Sequence, residues 1–174
     1  MIRHWLAPAL FAVFCGLLAW HATLAVIPRA LMALAVRRVA SVGGINKMTH
    51  APLVTAKART IVRPSPDLLY SSCPYDLAVG PVLIDVMPVA APYWSLSVFD
   101  NTTNVAFVRN NRQTANAPLH VALVRRGQMV PAGYQPIMPQ GTRGVALIRI
   151  LIDRSAPITA IDAARRQSSC RVAN

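Results

Sequence analysis

Residues 93–99 read YWSLSVF, where the large apolar side chains Trp94, Leu96 and Val98 alternate with Tyr93, Phe99 and two serines. Successive side chains of a β-strand point to opposite faces, so this alternation predicts a strand with one face fully buried. The next five residues, DNTTN, are typical of a turn and join it to a second strand. The stretch therefore predicts a β-rich domain built around this pair of strands.

Stretches of the same character recur on both sides, rich in β-branched residues and bounded by Pro, Gly or Asn. The most apolar, VALIRILI at residues 145–152, predicts a central strand in which Arg149 needs a partner or an exit to water. Residues 158–167 predict a short final helix. The fold class predicted is mainly β, a sandwich or a barrel. The predicted strands are 58–62, 82–87, 93–99, 105–109, 119–125 and 145–152, with most of the 14 prolines between them.

An apolar segment opens the chain, because residues 5–27 contain no charged side chain. A bilayer core about 30 Å thick needs roughly 20 apolar residues of helix to cross it. Trp5 and Trp20, near the ends of the segment, suit the membrane interfaces. We expect one N-terminal transmembrane helix that acts as an uncleaved signal anchor. The alternative is a cleavable signal peptide, with TLA at residues 23–25 as a poor cleavage site.

Pro28 marks the end of this segment or a bend in it. The following residues predict an amphipathic helix with Arg37 and Arg38 near its C-terminal end, where the helix dipole favours cations. This helix either lies at the membrane interface or packs on the domain, and VGGIN at residues 42–46 breaks it. We therefore divide the chain into an anchor, 1–28, a juxtamembrane helix, 29–41, and a β-rich envelope domain, 42–174.

The net charge of the chain is +12, from 18 basic and 6 acidic residues. Nucleic-acid-binding proteins concentrate such charge on one patch and interleave aromatic residues, whereas these arginines are scattered. Scattered charge suits attraction to anionic lipid, so we expect a lipid bilayer as a partner and no nucleic acid. Four basic residues after the apolar segment favour a cytoplasmic domain, but large domains often translocate regardless of flanking charge. The topology stays open on these residues alone.

No motif of a known catalytic or metal site stands in the sequence. The four histidines lie far apart, there is no Cys-x-x-Cys pair, and no two acidic residues adjoin. Nucleophile-elbow, P-loop and dinucleotide-binding patterns are missing as well. His120, alone in a predicted strand, has the setting of a surface residue rather than of a catalytic base. We therefore expect no metal and no cofactor, and the sequence favours a protein that is not an enzyme.

One polar, proline-rich segment stands out, RPSPDLLYSS at residues 63–72. Its Arg63, Asp67 and Tyr70 either form a clamp, with the carboxylate of Asp67 turned back onto the guanidinium of Arg63, or line a polar pocket. We interpret the segment as an ordered loop that is mainly a structural clamp and secondarily the edge of a binding surface.

The motifs in and after this segment resemble those of a bacterial family called domain of unknown function 1254. They are Arg-x-x-x-Asp-x-x-Tyr-Ser from Arg63, then Asp-Leu-x-x-Gly-Pro from Asp76, then Tyr-Trp-Ser and an aspartate, Asp100, before an Asn-Thr-rich turn. The resemblance covers roughly residues 42–170. Ser65 stands where the family pattern has an Asn, so a role of that amide does not carry over to this chain.

This resemblance implies a short, membrane-anchored form with a β-sandwich or barrel in the cell envelope, and no particular reaction. Leu68 replaces a Thr of the family pattern, so a role of that hydroxyl does not carry over either. The resemblance also implies a periplasmic domain and a disulfide between Cys73 and Cys170, since disulfides persist in oxidising compartments. It implies a partner as well, because the usual companion of the short form is a protein of family 1214.

Two functional classes follow. The first is a non-catalytic protein that crosses the bacterial inner membrane once and whose periplasmic domain is an accessory or interaction subunit of a membrane protein complex. The second is an enzyme or a small-ligand-binding domain that uses the loop of Arg63, Asp67 and Tyr70, with Asp100. The lack of a catalytic constellation, the small size and the anchor favour the first.

Overall fold

The structure, a computed structural model, describes residues 2–54, 64–153 and 157–173. It begins with one long helix, α1, from Ile2–Gly43, which contains both Pro8 and Pro28. By length and composition α1 is able to cross a membrane, a criterion that a signal sequence also meets. Its apolar stretch is not buried against the rest of the protein.

The predicted boundary at Pro28 does not divide this helix, which continues to Gly43. A proline removes one backbone donor from a helix, but the residues after Pro28 are mainly Ala, Leu, Met and Arg, which favour helix strongly. The predicted break at residues 42–46 is where α1 ends. Gly44 there has a φ of 91° and Asn46 a φ of 57°, which is left-handed backbone that ends helices.

Two open sheets follow in the described part of the chain, and neither is closed into a barrel. The first has five antiparallel strands in the spatial order β1-β2-β8-β4-β5. Its strands are β1 (Thr49–His50), β2 (Leu68–Asp76), β4 (Trp94–Phe99), β5 (Val105–Asn110) and β8 (Arg143–Leu151).

The second sheet has four strands in the order β7-β6-β3-β9, and only its β6–β7 pair is parallel. A short helix, α2 (Ile158–Arg165), precedes its last strand. Its strands are β3 (Val82–Val86), β6 (Leu119–Leu123), β7 (Gln135–Ile137) and β9 (Ser169–Val172).

Most predicted elements are confirmed in type. The stretch around Trp94 forms β4, the turn after it joins β4 to β5, and residues 145–152 supply β8, which lies between β2 and β4. The ordered loop predicted through residue 72 is wrong from Leu68 onwards, because β2 begins there and pairs with β8 over nine residues. The predicted strand 58–62 lies outside the described residues. Three short strands, β1, β7 and β9, were not predicted.

Both sheets contribute to one hydrophobic core. Leu96 and Ile148 of the five-stranded sheet share it with Ile84 and Val121 of the four-stranded sheet, and α2 adds Ile161. A disulfide between Cys73 in β2 and Cys170 in β9, with Cα atoms 6.3 Å apart, links the two sheets. It joins the two cysteines that the sequence analysis paired through the family resemblance.

A second, smaller apolar contact attaches α1 to the outer face of the five-stranded sheet. Met32 and Val36 of the helix are buried against Val145 of β8, with Ala35 and Phe99 beside them. The second half of α1 is therefore part of the domain, whereas its first half has no contact of this kind.

Candidate functional site

The structure places Asp67 immediately before β2 and Tyr70 near its start. Asp67 is exposed, so it is not the partly buried carboxylate that a clamp requires. The hydroxyl of Tyr70 accepts a hydrogen bond from the backbone N–H of Ser65 at 2.9 Å, so it points back to the segment before the strand. Arg63 lies outside the described residues, and its pairing with Asp67 stays a prediction.

Asp100 lies far from these two residues. In the strand pairing, Tyr70 of β2 lies opposite Arg149 of β8, and Arg149 lies opposite Ser95 of β4 on its other side. Asp100 comes five residues after Ser95, just beyond the end of β4. Five residues of strand span about 17 Å. The structure thus places Tyr70 and Asp100 at opposite ends of the sheet.

The carboxylate of Asp100 instead closes its own turn. It is buried, and its Oδ1 accepts hydrogen bonds from the backbone N–H groups of Thr102 and Asn104 at 2.8 and 2.9 Å. The hydroxyl of Thr102 donates to the same oxygen at 2.8 Å. This pattern is that of an aspartate that fixes a tight turn between two strands.

Sequence reasoning missed a polar cluster on the outer face of the four-stranded sheet. Asp85 of β3 lies directly opposite His120 of β6 on one side and Ser169 of β9 on the other. With Tyr134, from the turn before β7, and Arg171 of β9, these residues make up what we call the Asp85 cluster.

All four neighbours hydrogen-bond to Asp85. Its Oδ1 accepts from Nδ1 of His120 at 2.7 Å and from the hydroxyl of Tyr134 at 2.8 Å. Its Oδ2 accepts from the hydroxyl of Ser169 at 3.0 Å and from Nη1 of Arg171. The other terminal nitrogen of Arg171 donates to the hydroxyl of Tyr134 at 3.0 Å, so the cluster is cross-linked.

The electrostatics of the cluster follow from these bonds. Burial raises the pKa of the Asp85 carboxyl, but hydrogen bonds from Arg171, His120, Tyr134 and Ser169 outweigh it and lower that pKa to about 2. Its carboxylate in turn raises the pKa of Arg171. An ionised carboxylate can only accept hydrogen bonds, so Nδ1 of His120 is the donor in this contact.

This arrangement is an imidazole oriented by a carboxylate, with 43% of the His120 side chain exposed. It resembles the base-and-orienter pair of many active sites, but the hydroxyl of Ser169 is occupied by Asp85. The signal in the sequence was Asp85 itself, a carboxylate inside the apolar run VLIDV, which needs buried partners. Among the described residues, no group of three or more His, Cys, Asp or Glu side chains is placed to hold a metal ion.

A second buried polar group ties α2 to the first sheet. Arg165 is buried and donates hydrogen bonds to the backbone oxygens of Tyr70 and Ala51 at 2.7 and 2.8 Å, while its Nε donates to Asp162 at 2.6 Å. Nearby, burial lowers the pKa of His50, and the charge of Arg165 lowers it further. We interpret this group as structural, because its buried guanidinium satisfies backbone acceptors.

Comparison with known proteins gives a family and a fold. A family described as "Protein of unknown function (DUF1254)" matches residues 45–172. No curated protein matches the sequence significantly.

The solved structures that are similar to this chain include two proteins without a known function. The crystal structure of the VPA0106 protein from Vibrio parahaemolyticus has a TM-score of 0.61 and 14% sequence identity, with 83% of this chain and 37% of that chain covered. An uncharacterised protein from Burkholderia cenocepacia has a TM-score of 0.48 and 14% identity, with 73% and 34% covered. The chain thus spans little more than a third of the length of either protein, and at such identity the Vibrio structure indicates a shared fold alone. Because the family match extends over most of its length, this chain belongs to the DUF1254 family of proteins of unknown function.

Proposed function

We propose that this chain is a β-sandwich domain anchored in the bacterial inner membrane, and that it serves as an accessory or interaction subunit of an envelope membrane protein complex. One observation carries the proposal. Helix α1 runs unbroken from its apolar stretch into the domain, where Met32 and Val36 are buried against Val145. Such a helix holds the domain close to the bilayer in a fixed orientation.

The exposure of the apolar stretch supports a membrane span. Trp5, Leu10 and Phe11 are 74, 68 and 68% exposed, and residues of this kind continue to Ile27. Apolar surface of this extent is unfavourable in water, and lipid is the environment that removes the cost.

The junction after α1 supports a fixed orientation. The side-chain amide of Asn46 donates to the backbone oxygen of Asp76 at 3.1 Å and accepts from the backbone N–H of Asp76 at 2.8 Å. The backbone N–H of Asn46 donates to the oxygen of Pro74 at 2.8 Å. The chain leaving the helix is therefore bonded to the end of β2.

The disulfide between Cys73 and Cys170 supports a periplasmic domain, because disulfides persist in oxidising compartments and are rare in the cytosol. The arginines that follow the apolar stretch, such as Arg29 and Arg37, act against this orientation. A domain of this size translocates largely regardless of flanking charge, so the disulfide has the greater weight.

An exposed edge strand supports an interaction role. In the described part of the chain β5 pairs only with β4, and Val105 and Val108 are 54 and 45% exposed. Exposed edges that carry β-branched side chains invite a further strand, and partners bind such edges by strand addition. We propose that β5 receives a strand of a second envelope protein, with the companion family 1214 as the first candidate.

A photo-crosslinking residue at position 108, in the full chain in native membranes, tests this proposal. We expect an adduct with a family 1214 protein from position 108 and none from position 129, where Met129 is 89% exposed in a loop and serves as the control. Equal adducts from both positions, or adducts only with a second copy of the chain, contradict the proposed partner. Release of the chain by alkaline carbonate contradicts the anchor.

A second candidate function, an enzyme or small-ligand-binding domain, is favoured by the Asp85 cluster rather than by Arg63, Asp67 and Tyr70. The exposed, carboxylate-oriented imidazole of His120 is suited to exchange a proton with a bound molecule. Imidazole NMR signals of ¹⁵N-histidine-labelled protein test it during a screen of small polar molecules. We expect a ligand to shift the His120 signals in the native protein and not in Asp85→Asn. A library that leaves them unchanged contradicts this candidate.

A further inference from the structure

A basic cleft lies where α1 meets the domain. It measures about 260 Å³ and has walls from the helix and from the start of β8. Three arginines contribute to its lining, Arg29 and Arg37 from α1 and Arg143 from β8. Met32 and Val36 of the helix form its apolar side. The cleft thus combines positive charge with an apolar wall.

The charge of this cleft is largely uncompensated. Arg143 pairs through Nε with Asp76 at 2.7 Å, yet its side chain is 66% exposed and open to a further partner. One nitrogen of Arg29 donates to the backbone oxygen of Ala25, which carries no formal charge. Arg37 has no ion-pair partner in the described part of the chain. Three arginines are thus balanced by one carboxylate. An anion with several oxygen atoms can accept hydrogen bonds from the paired N–H groups of more than one guanidinium.

The position of the cleft along α1 indicates where that anion comes from. This step rests on the proposed function, in which residues 5–27 span the membrane. A helix rises about 1.5 Å per residue, so Arg29 lies roughly 3 Å beyond the last apolar residue and Arg37 roughly 15 Å beyond it. Helical side chains tilt towards the N-terminus, here towards the bilayer. The headgroup layer is about 5–7 Å thick, so the backbone of Arg29 lies within it and the side chain of Arg37 extends towards it.

We propose that this cleft is a binding site for the phosphate headgroup of an anionic phospholipid. The phosphate is bound by Arg37 and Arg143, Arg29 adds positive charge on its membrane side, and the first carbons of the lipid lie along Met32 and Val36. Because one side of the site is helix and the other is sheet, a bound lipid also fastens the domain to its anchor. The basic composition of the chain then has a local role besides general attraction to the membrane.

Native mass spectrometry of the full chain in detergent tests this inference, with added short-chain phosphatidylglycerol, phosphatidylcholine or inorganic phosphate. We expect one phosphatidylglycerol per chain at concentrations where phosphatidylcholine does not bind. Arg29→Gln/Arg37→Gln should weaken binding by about tenfold or more. Arg112→Gln/Arg126→Gln, which removes the same charge from exposed sites outside the cleft, should change it less than about twofold.

A second variant separates loss of the site from loss of the fold. Arg143→Lys keeps a cation beside Asp76 but loses the planar fork, so it should weaken lipid binding without lowering the thermal stability. Equal binding of both lipids, or an equal loss in both double variants, overturns the inference. If inorganic phosphate competes as effectively as phosphatidylglycerol, the site does not select a lipid, and the proposed lipid ligand is wrong. The lipid is added in detergent, so this binding assay does not require the chain to span a membrane. If alkaline carbonate releases the chain but the chain still binds phosphatidylglycerol specifically, only the proposed membrane span is contradicted.

Discussion

Cys73 and Cys170 join the two sheets of the domain covalently, since Cys73 lies in β2 and Cys170 in β9. The cross-link spans a sequence separation of 97 residues. In the chain-entropy view, such a cross-link stabilises a protein mainly by restricting its unfolded state.

Replacing both cysteines by alanine should therefore lower the free energy of unfolding by roughly 4 kcal/mol. Denaturant unfolding of the domain with and without the pair measures this loss. Thiol labelling of the unreduced, denatured protein is the matching control, because Cys15 is free and should react while the other two do not. Full labelling of all three cysteines rules out the bond.

Arg165 and its neighbour Arg166 offer a matched pair of substitutions. Both pair with Asp162, but the side chain of Arg165 is 2% exposed and that of Arg166 is 54% exposed. Arg165→Ala should lower stability by about 3 kcal/mol or more, because the backbone oxygens of Tyr70 and Ala51 each lose a charged donor and Asp162 loses a buried partner. Arg166→Ala should cost less than about 1 kcal/mol. Similar melting temperatures for the two variants would show that the buried guanidinium is not structural.

Local pattern in the sequence predicts those elements whose side chains alternate or are nearly all apolar. The alternation around Trp94 and the apolar run of β8 identify the two strands at the centre of the five-stranded sheet. β2 escapes such reasoning because Pro64, Pro66 and Pro74 stand in or beside it and polar residues interrupt it. Its conformation is set by nine residues of pairing with β8, a distant partner.

The same limit applies to the polar cluster. Asp85 and His120 are 35 residues apart, and only the register of β3 with β6 sets them opposite each other. The sequence marks Asp85 as a carboxylate in need of partners, but its partners come from three other parts of the chain. Local motifs point instead to Asp67 and Asp100, which are placed at opposite ends of one sheet.

Acid should weaken the fold through Asp85. Its pKa is about 2 in the folded protein against an ordinary value of 3.8, so the unfolded chain takes up a proton first as the pH falls. The stabilising contribution, about 2 kcal/mol, is complete above pH 4 or so and is lost as the pH falls through about 2. Unfolding of the native protein and of Asp85→Asn, compared at several pH values, measures it. A stability difference between the two that does not change over this range contradicts the prediction.

Asp67→Ala should have little effect on stability, less than about 0.5 kcal/mol, because the side chain is exposed. A buried clamp between Asp67 and Arg63 would instead imply that the same substitution lowers the stability by several kcal/mol. Tyr70→Phe should cost about 1 kcal/mol, since it leaves the backbone N–H of Ser65 without its acceptor. Thermal unfolding of the two variants side by side decides the matter, and a larger loss for Asp67→Ala restores the clamp.

Asn46 should control how firmly the domain is attached to α1. Its buried amide exchanges two hydrogen bonds with the backbone of Asp76, and its φ of 57° is left-handed. Asn46→Gly keeps the backbone conformation accessible and removes only the two hydrogen bonds, so it should cost about 2 kcal/mol. Asn46→Ala also incurs the strain of that conformation and should cost about 1 kcal/mol more. Hydrogen exchange of the last turns of α1 and of β2 reads out both effects, and faster exchange should be confined to these two elements. Uniform acceleration across both sheets would mean that Asn46 supports the whole fold rather than the junction between anchor and domain.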